Sequence, residues 1–439
     1  MTQKFTLVGS GLAGGLLAAY LGRRGYEVFL YERRPDPRAG NFVGGRSINL
    51  ALSTRGIDAL ARVGLADQVL AHAIPMRGRM IHDRNGALHF SPYDRDPRKC
   101  INSIGRAALN TTVIEAAQKF PNVRVQFNQQ CTRVDLEAGA AEFVDTATSQ
   151  KTSVTHDAVI GVDGAFSAVR RSMKEQLSGF VESESYLDHG YKELTIPPDE
   201  KGNWRMEKHA LHIWPRGNFM MIALPNLDGS FTATLFWPFE GPNSFAALRS
   251  EGDVLNFFRE QFPDAVSLIP ALAEEFLANP TGSLVTIRCR PWHTGRVVLV
   301  GDACHAVVPF LGQGMNAAFE DCTVLNRCLA EEHWEWAKAF GRYEMLRKEH
   351  ADALADLCVA NFVEMRDHVA STRFLLQKKL AILLHALLPR WYLPLYTMIE
   401  FTRIPYADAV RRARAQAYTI AAGLAILLAG TLVLLWWLW

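Results

Sequence analysis

The run Gly9-Ser10-Gly11-Leu12-Ala13-Gly14 constrains this chain more than any other six residues. An apolar, strand-like segment from Lys4 to Val8 leads into it. It opens an apolar helical stretch reaching Arg24, with a turn at Gly25, and a second strand from Glu27 to Tyr31 ends in Glu32. In a strand-helix-strand unit each glycine has a separate task. The first makes a tight turn, the second lets the backbone approach a pyrophosphate, and the third lets helix and strand pack closely. The helix N-terminus favours the anion, and an acid at the tip of the second strand accepts hydrogen bonds from a ribose diol. The pattern predicts a dinucleotide site and a Rossmann-type α/β unit at the N-terminus. A strand at residues 4–8 also leaves no room for a signal peptide there.

Nicotinamide and flavin cofactors share this fingerprint, so the choice needs later features. Ala158 to Gly161 is an apolar run into Val162-Asp163-Gly164, with Ser167, Arg170 and Arg171 following. Val297 to Val300 is another, ending in Gly301-Asp302, followed by His305 and by Pro309-Phe310-Leu311-Gly312-Gln313-Gly314-Met315-Asn316. With these motifs the chain resembles the flavoprotein aromatic monooxygenases that share the fold of p-hydroxybenzoate hydroxylase. The resemblance implies FAD, with Asp302 on the ribityl chain and Gly314, Met315 and Asn316 at the start of a helix aimed at the isoalloxazine. That placement suits the helix dipole, because reduced flavin carries negative charge. It also implies cofactor contacts at Gly9, Gly11, Leu12, Ala13, Gly14, Glu32, Arg33, Arg34 and Ala51, and at Arg106, which begins a helix after Ile104-Gly105.

Further segments narrow the resemblance: Gly45-Arg46-Ser47-Ile48-Asn49-Leu50, Pro75 to His82, Glu193 to Ile196, Leu211 to Pro215, Asn361 to Met365, and Pro394 to Met398. They resemble the branch of the family that acts on L-kynurenine, and the likeness runs over nearly the whole chain. It implies that NADPH reduces FAD, O2 adds to the reduced flavin, and a hydroxyl passes to position 3 of L-kynurenine, with no side chain as acid or base. The α-carboxylate of such a substrate needs a fixed cation and a directional donor, roles the resemblance gives to Arg79 and Tyr93. Asn361, Glu364 and Met365 share a helical face and are expected at the same ligand with Tyr396 and Phe310. Leu311 departs from the family, whose members carry Phe or His there. His305 has no partner legible in the sequence, and a structural role is expected for it. Two alternatives stay open, a flavin-binding redox regulator and a hydroxylase of another aromatic substrate.

The order of the pieces predicts a discontinuous FAD-binding domain from residues 1–70, 100–180 and 285–330. Residues 71–99 and 181–284 form a substrate domain. Its runs LHIW, NFMMIALP and SFTATLFW, joined by Pro-Arg-Gly-Asn and Asn-Leu-Asp-Gly, read as an antiparallel sheet. Residues 331–415 read as helices divided by Pro389, Pro394 and Pro405. Tyr418 to Trp439 lacks any charge, and its 22 residues give roughly 33 Å of helix, enough for a bilayer core. Arg403, Arg411, Arg412 and Arg414 precede it, and Trp436, Trp437 and Trp439 close it, as a membrane anchor with a cytoplasmic basic flank would have. The catalytic body is expected in a reducing cytoplasmic compartment, on a bacterial inner or mitochondrial outer membrane. A net charge of +2 argues against a nucleic-acid partner, and seven scattered cysteines without a CxxC pair form neither a disulfide framework nor a zinc site. No second GxGxxG unit is present for NADPH, which is expected to visit the flavin transiently, and no metal is expected.

Overall fold

The computed structural model describes residues 3–39, 49–333, 335–368, 372–389 and 391–438. Gly45-Arg46-Ser47-Ile48 and Trp439 therefore lie outside the described residues. The first body is built on a six-stranded sheet ordered His293–Thr294, Val297–Leu299, Ala158–Gly161, Lys4–Val8, Glu27–Tyr31, Val123–Gln126. Its inner pairs are parallel, with Phe5 facing both Val28 and Ala158, and Val159 facing Val297. Three distant stretches thus supply adjacent strands. Phe5, Leu7, Val28, Leu30, Val159, Ile160, Val298 and Leu299 are all buried, because helices and a second sheet cover both faces of a parallel sheet. The helix Leu12–Arg23 packs against Arg106–Gln118 so closely that a Cβ on Gly15 would stand 2.7 Å from Val113 Cγ2. A three-stranded meander over residues 129–155 closes the other side, where Tyr31 stacks on Phe143 at 4.1 Å.

The second body is a seven-stranded sheet ordered Gly282–Arg290, Val181–Ile196, Phe231–Pro238, Met220–Pro225, Ala210–Pro215, Gly78–His82, Leu88–Pro92. The three runs read from turn chemistry are its centre and are antiparallel. One pairing is parallel: Gly78–His82 lies along Ala210–Pro215, with Arg79 opposite Leu211. Residues 285–290, expected in the flavin-binding unit, continue this sheet instead, paired with Val181–Tyr186. Alternation along the strands separates two faces. Trp214, Met221, Leu235 and Trp237 point to a core under the helices Glu251–Gln261 and Leu272–Ala278. Ile213, Met220 and Phe236 point the other way, towards Phe310, Phe362 and the C-terminal helices.

Those helices are Trp336–Val363, a π-turn at Glu364–His368, then Thr372–Leu387, Leu395–Phe401 and Tyr406–Leu438. Pro394 and Pro405 stand immediately before two of them, where a missing N–H costs nothing. The last helix starts at Tyr406, earlier than the anchor expected from residue 418, because Ala407 to Ala417 is rich in Ala and Arg and holds no helix breaker. Its first turns are anchored in the body: Tyr406 is fully buried, and Gln416 donates to the carbonyl of Trp391 at 2.8 Å.

Candidate active site

The dinucleotide cradle forms where the first strand meets its helix. Gly9 has φ +102°, and a Cβ on it would stand 2.7 Å from the Val162 carbonyl oxygen. A Cβ on Gly14 would meet the Gly9 carbonyl oxygen at 2.0 Å, whereas one on Gly11 would meet nothing within 4 Å. Gly9 and Gly14 are therefore required by the fold, and Gly11 leaves an open seat. The first intrahelical bond runs from Gly15 N–H to Gly11 O, so the N–H groups of Leu12, Ala13 and Gly14 precede the hydrogen-bonded ladder. Glu32 accepts from Ser10 N–H at 2.9 Å and Arg34 N–H at 3.0 Å. These bonds fix its carboxylate at the tip of the strand, with lone pairs left for a diol. The Arg33 and Arg34 side chains are exposed beyond it.

The later segments converge on the same cleft. A Cβ on Gly301 would lie 3.8 Å from Ala13 Cβ. Asp302 is exposed by surface area yet ringed by protein, as a cleft-lining group is; burial pushes its carboxyl up, opposed by the charges of His305 and Arg106. Arg106 is exposed at the first position of its helix. The helix Gly314–Glu331 begins after Gly312, which sits in the left-handed region at φ +69°. Its ladder starts at Ala317 N–H to Gln313 O, so the N–H groups of Gly314, Met315 and Asn316 lie ahead of it. The Asn316 side chain is already committed to the protein. It donates to Ala51 O (2.8 Å) and Gly312 O (2.9 Å) and accepts from Ser53 N–H (2.9 Å), which leaves its backbone for a ligand. The open seat at Gly11, the buried Ser10 Oγ and Asp163 Oδ1, unpartnered among the described residues, and the cleft-lining Asp302 fit FAD.

A cavity of about 780 Å³ lies between the seven-stranded sheet and the C-terminal helices. It brings together five of the predicted residues, Arg79, Tyr93, Asn361, Glu364 and Tyr396, with Leu311 in its wall. Arg79 is buried, with its guanidinium 5.0 Å from the Tyr396 ring centre and 3.8 Å from Glu364. Desolvation pulls its pKa down, but Tyr396, Tyr93 and Glu364 outweigh that, and the net shift is upward. Its Nε and the Tyr93 hydroxyl are buried without a hydrogen-bond partner among the described residues. Burial pushes the Tyr93 phenol up to about 12, against the lowering effect of the Arg79 charge. A buried cation and a buried donor, both unsatisfied and facing one cavity, suit a carboxylate ligand.

Phe310 and Met365 take different places. The Phe310 ring stacks on Phe362 at 4.2 Å and leans on Phe236 at 4.8 Å, inside the apolar cluster beside the cavity. Met365 is buried in the same cluster and receives a contact from Asn361 Nδ2 at 3.2 Å. The same amide donates to the Phe310 carbonyl at 2.7 Å, so both residues set the Asn361 side chain from behind the wall. His305 does have a partner, Asp321 at 2.5 Å, and Arg347 holds the other Asp321 oxygen at 2.6 Å. Sequence reasoning also passed over Glu400, one turn after Tyr396 and fully buried. Gln313 Nε2 donates to its Oε2 at 2.7 Å and to Ser53 Oγ at 2.9 Å, while Tyr406 donates to Gln313 Oε1 at 2.9 Å. The i, i+4 spacing from Tyr396 was its one available signal.

Residues 2–357 match the family described as FAD binding domain. Solved structures share the fold: a tetrameric 2-methyl-3-hydroxypyridine-5-carboxylic acid oxygenase (TM-score 0.67, 22% identity, covering 85% of this chain and 95% of that one). Another is the p-nitrophenol 4-monooxygenase of Pseudomonas putida (TM-score 0.66, 18% identity, 87% and 93%). Family match and cradle together define an FAD-binding protein. Among curated proteins, kynurenine 3-monooxygenase of Myxococcus xanthus is 50% identical over 402 residues, 91% of this chain and 86% of the relative. That of Anopheles gambiae is 45% identical over 407 residues, 92% and 83%. The chain belongs to the kynurenine 3-monooxygenase family.

Proposed function

We propose that this chain hydroxylates L-kynurenine at ring position 3, with NADPH as reductant and O2 as oxidant. The observation that carries this reading is the pairing of Arg79 with Glu364 across 3.8 Å in the wall of a cavity that also presents Leu311, Leu357, Leu395, Tyr396 and Ile399. An amino-acid head group offers a carboxylate and an ammonium a few ångströms apart, and a guanidinium beside a carboxylate is its complement. Arg79 and Tyr93 hold the carboxylate, Glu364 the ammonium, and Asn361 a carbonyl or amine of the side chain. Leu311, Leu357, Ile399 and Tyr396 enclose the ring and exclude water. Residues 9–14, Glu32, Arg106, Asp302 and the helix at Gly314 would hold FAD, which when bound would accept electrons from NADPH and activate O2. No side chain is assigned as acid or base.

The deciding experiment is the anaerobic rate of FAD reduction by NADPH with and without L-kynurenine, followed by product analysis in air. The reading expects acceleration by L-kynurenine and formation of 3-hydroxykynurenine. Turnover of NADPH in air without that product would overturn it.

The C-terminal helix is read as a membrane anchor from residue 418 onward. The residues from Ala417 to Trp437, Ile420 apart, are exposed, and Leu, Ile and Val make up much of that surface, an apolar area that water does not tolerate on a monomer. Arg403 and Arg411 pair with Asp58 and Glu349 of the body, so the basic flank lies against the catalytic unit. A chain ending at Ala417 keeps the contact between Gln416 and Trp391. It is expected to move from the membrane fraction to the supernatant with FAD bound, and its retention on membranes would contradict the anchor.

A further inference from the structure

The helix Thr372–Leu387 closes one side of the cavity with Ala381 and His385. Its other side faces out: Leu376, Leu380, Leu383 and Leu387 are all exposed, the first and last by 68% and 67%. Their spacing, i, i+4, i+7 and i+11, gathers them within an arc of about 60° along about 17 Å of helix, and Ala381 and His385 are turned from the centre of that arc by about 130° and about 170°. The apolar stripe runs on into Leu388 and Trp391, which are exposed as well. A contiguous apolar surface of this kind marks a contact with something other than water.

The place where the stripe ends says what covers it. Gln416 of the tail helix donates to the Trp391 carbonyl at 2.8 Å, two residues before the uncharged segment begins at Tyr418. Two residues of helix rise about 3 Å, so Trp391 stands close to the level at which the tail enters a bilayer, the depth that suits an indole ring. A contact between His385 Nδ1 and the Tyr392 carbonyl at 2.9 Å ties the end of the leucine helix to the same turn. Arg414, exposed on the tail helix just before this level, suits anionic headgroups.

We propose that Leu376, Leu380, Leu383, Leu387, Leu388 and Trp391 lie on the same bilayer as the tail, at the boundary between headgroups and acyl chains, and give the catalytic body a second membrane contact. The inference rests on the reading of residues 418–437 as a membrane anchor. The leucine helix then stands between lipid and cavity, apolar towards the one and lining the other.

The test is photo-crosslinking of the FAD-loaded full chain in vesicles of phosphatidylcholine and phosphatidylglycerol whose acyl chains carry a diazirine close to the headgroup, with adducts mapped by peptide mass spectrometry. Adducts are expected on residues 376–391 as well as on the tail. Adducts on the tail alone overturn the proposal and leave the anchor standing, and adducts on neither segment overturn both. Leu380→Glu combined with Leu383→Glu puts two charges on the stripe at exposed positions outside the cavity wall. It is expected to lose the adducts on 376–391 while keeping those on the tail and the melting temperature in detergent. Undiminished labelling of 376–391 in that variant overturns the proposal, and the measurement on the native chain stands even if the variant does not fold. Light scattering in detergent tests a second copy as the occupant: a dimer that the two substitutions split into monomers would overturn the assignment to lipid.

Discussion

Replacing Arg79 with Met sets ligand binding and stability against each other. Charge-assisted hydrogen bonds contribute about 1.5–3 kcal/mol each, and a guanidinium fork makes two to a carboxylate. Losing both, with the carboxylate still placed beside buried aromatics, costs about 3–5 kcal/mol, or two to three orders of magnitude in Kd. The folded protein without ligand loses far less. Among the described residues its one ion pair is with a Glu364 whose side chain is 40% exposed and 3.8 Å away, worth under about 1 kcal/mol after solvent screening. Stacking on Tyr396 at 5.0 Å adds about 1–2 kcal/mol. Against these stands the desolvation of a buried cation with an unsatisfied Nε, a cost of several kcal/mol that Met removes. Arg79→Met is therefore expected to weaken L-kynurenine by roughly 100- to 1,000-fold while its melting temperature holds or rises. Flavin-monitored titration and a thermal melt on one preparation check both. A Kd within about threefold of native, or a melting temperature lowered by more than about 5 °C, would show that Arg79 serves the fold rather than the ligand.

The glycines of the cradle make a matched pair. Gly11→Ala introduces a Cβ that meets no protein atom within 4 Å, so it is expected to fold normally and lose FAD affinity, read by flavin retention on gel filtration. Gly14→Ala drives a Cβ to 2.0 Å from the Gly9 carbonyl and is expected to lose stability as well as flavin. Asn316→Ala removes three hydrogen bonds, two that tie the helix Gly314–Glu331 to Ser53 and Ala51 and one to Gly312. It is expected to destabilise by about 2–4 kcal/mol in denaturant titration. The His305–Asp321 pair gives a pH signature. Burial alone would lower His305, but Asp321 outweighs it and raises the net pKa; burial would raise Asp321, but His305 and Arg347 lower it. The His305 contribution is thus present below about 6.5 and lost as pH rises through its folded pKa. That of Asp321 is present above about 3.9 and lost on acidification through its own. The melting temperature of the native chain is expected to fall on leaving the range between these limits, and Asp321→Asn to flatten that dependence.

Local patterns carried the parts of this structure that local physics decides. The three glycines and Glu32 act within one strand-helix-strand unit, so spacing alone located the cradle. Turn chemistry located the strands from Ala210 to Pro238 because a hairpin is a near-neighbour event. What escaped was decided by contacts across long stretches of chain. Glu400 reads as one acid in Met-Ile-Glu-Phe, and its burial follows from meeting Gln313, 87 residues away. Phe310 stands beside the loop at Gly312 in sequence, yet its ring packs on Phe362, which only the path of the long helix determines. The partner of His305 lies 16 residues on, across the loop and two turns into a helix, a separation no residue pattern announces.

The parallel sheet has a consequence for how the chain is made. Lys4–Val8 emerges from the ribosome first, but its neighbour Ala158–Gly161 follows some 150 residues later, and Val297–Leu299 later still. The strand Lys4–Val8 that leads into the first glycine loop must therefore wait with one edge unfilled until Ala158–Gly161 has been synthesised. Asp302 and the helix at Gly314 appear only after more than two thirds of the 439 residues, and Tyr396 completes the cavity wall near the end. Flavin capture is in this way a late event of biosynthesis. A nascent chain arrested before residue 300 would hold the nucleotide fingerprint and still lack a complete place to put it.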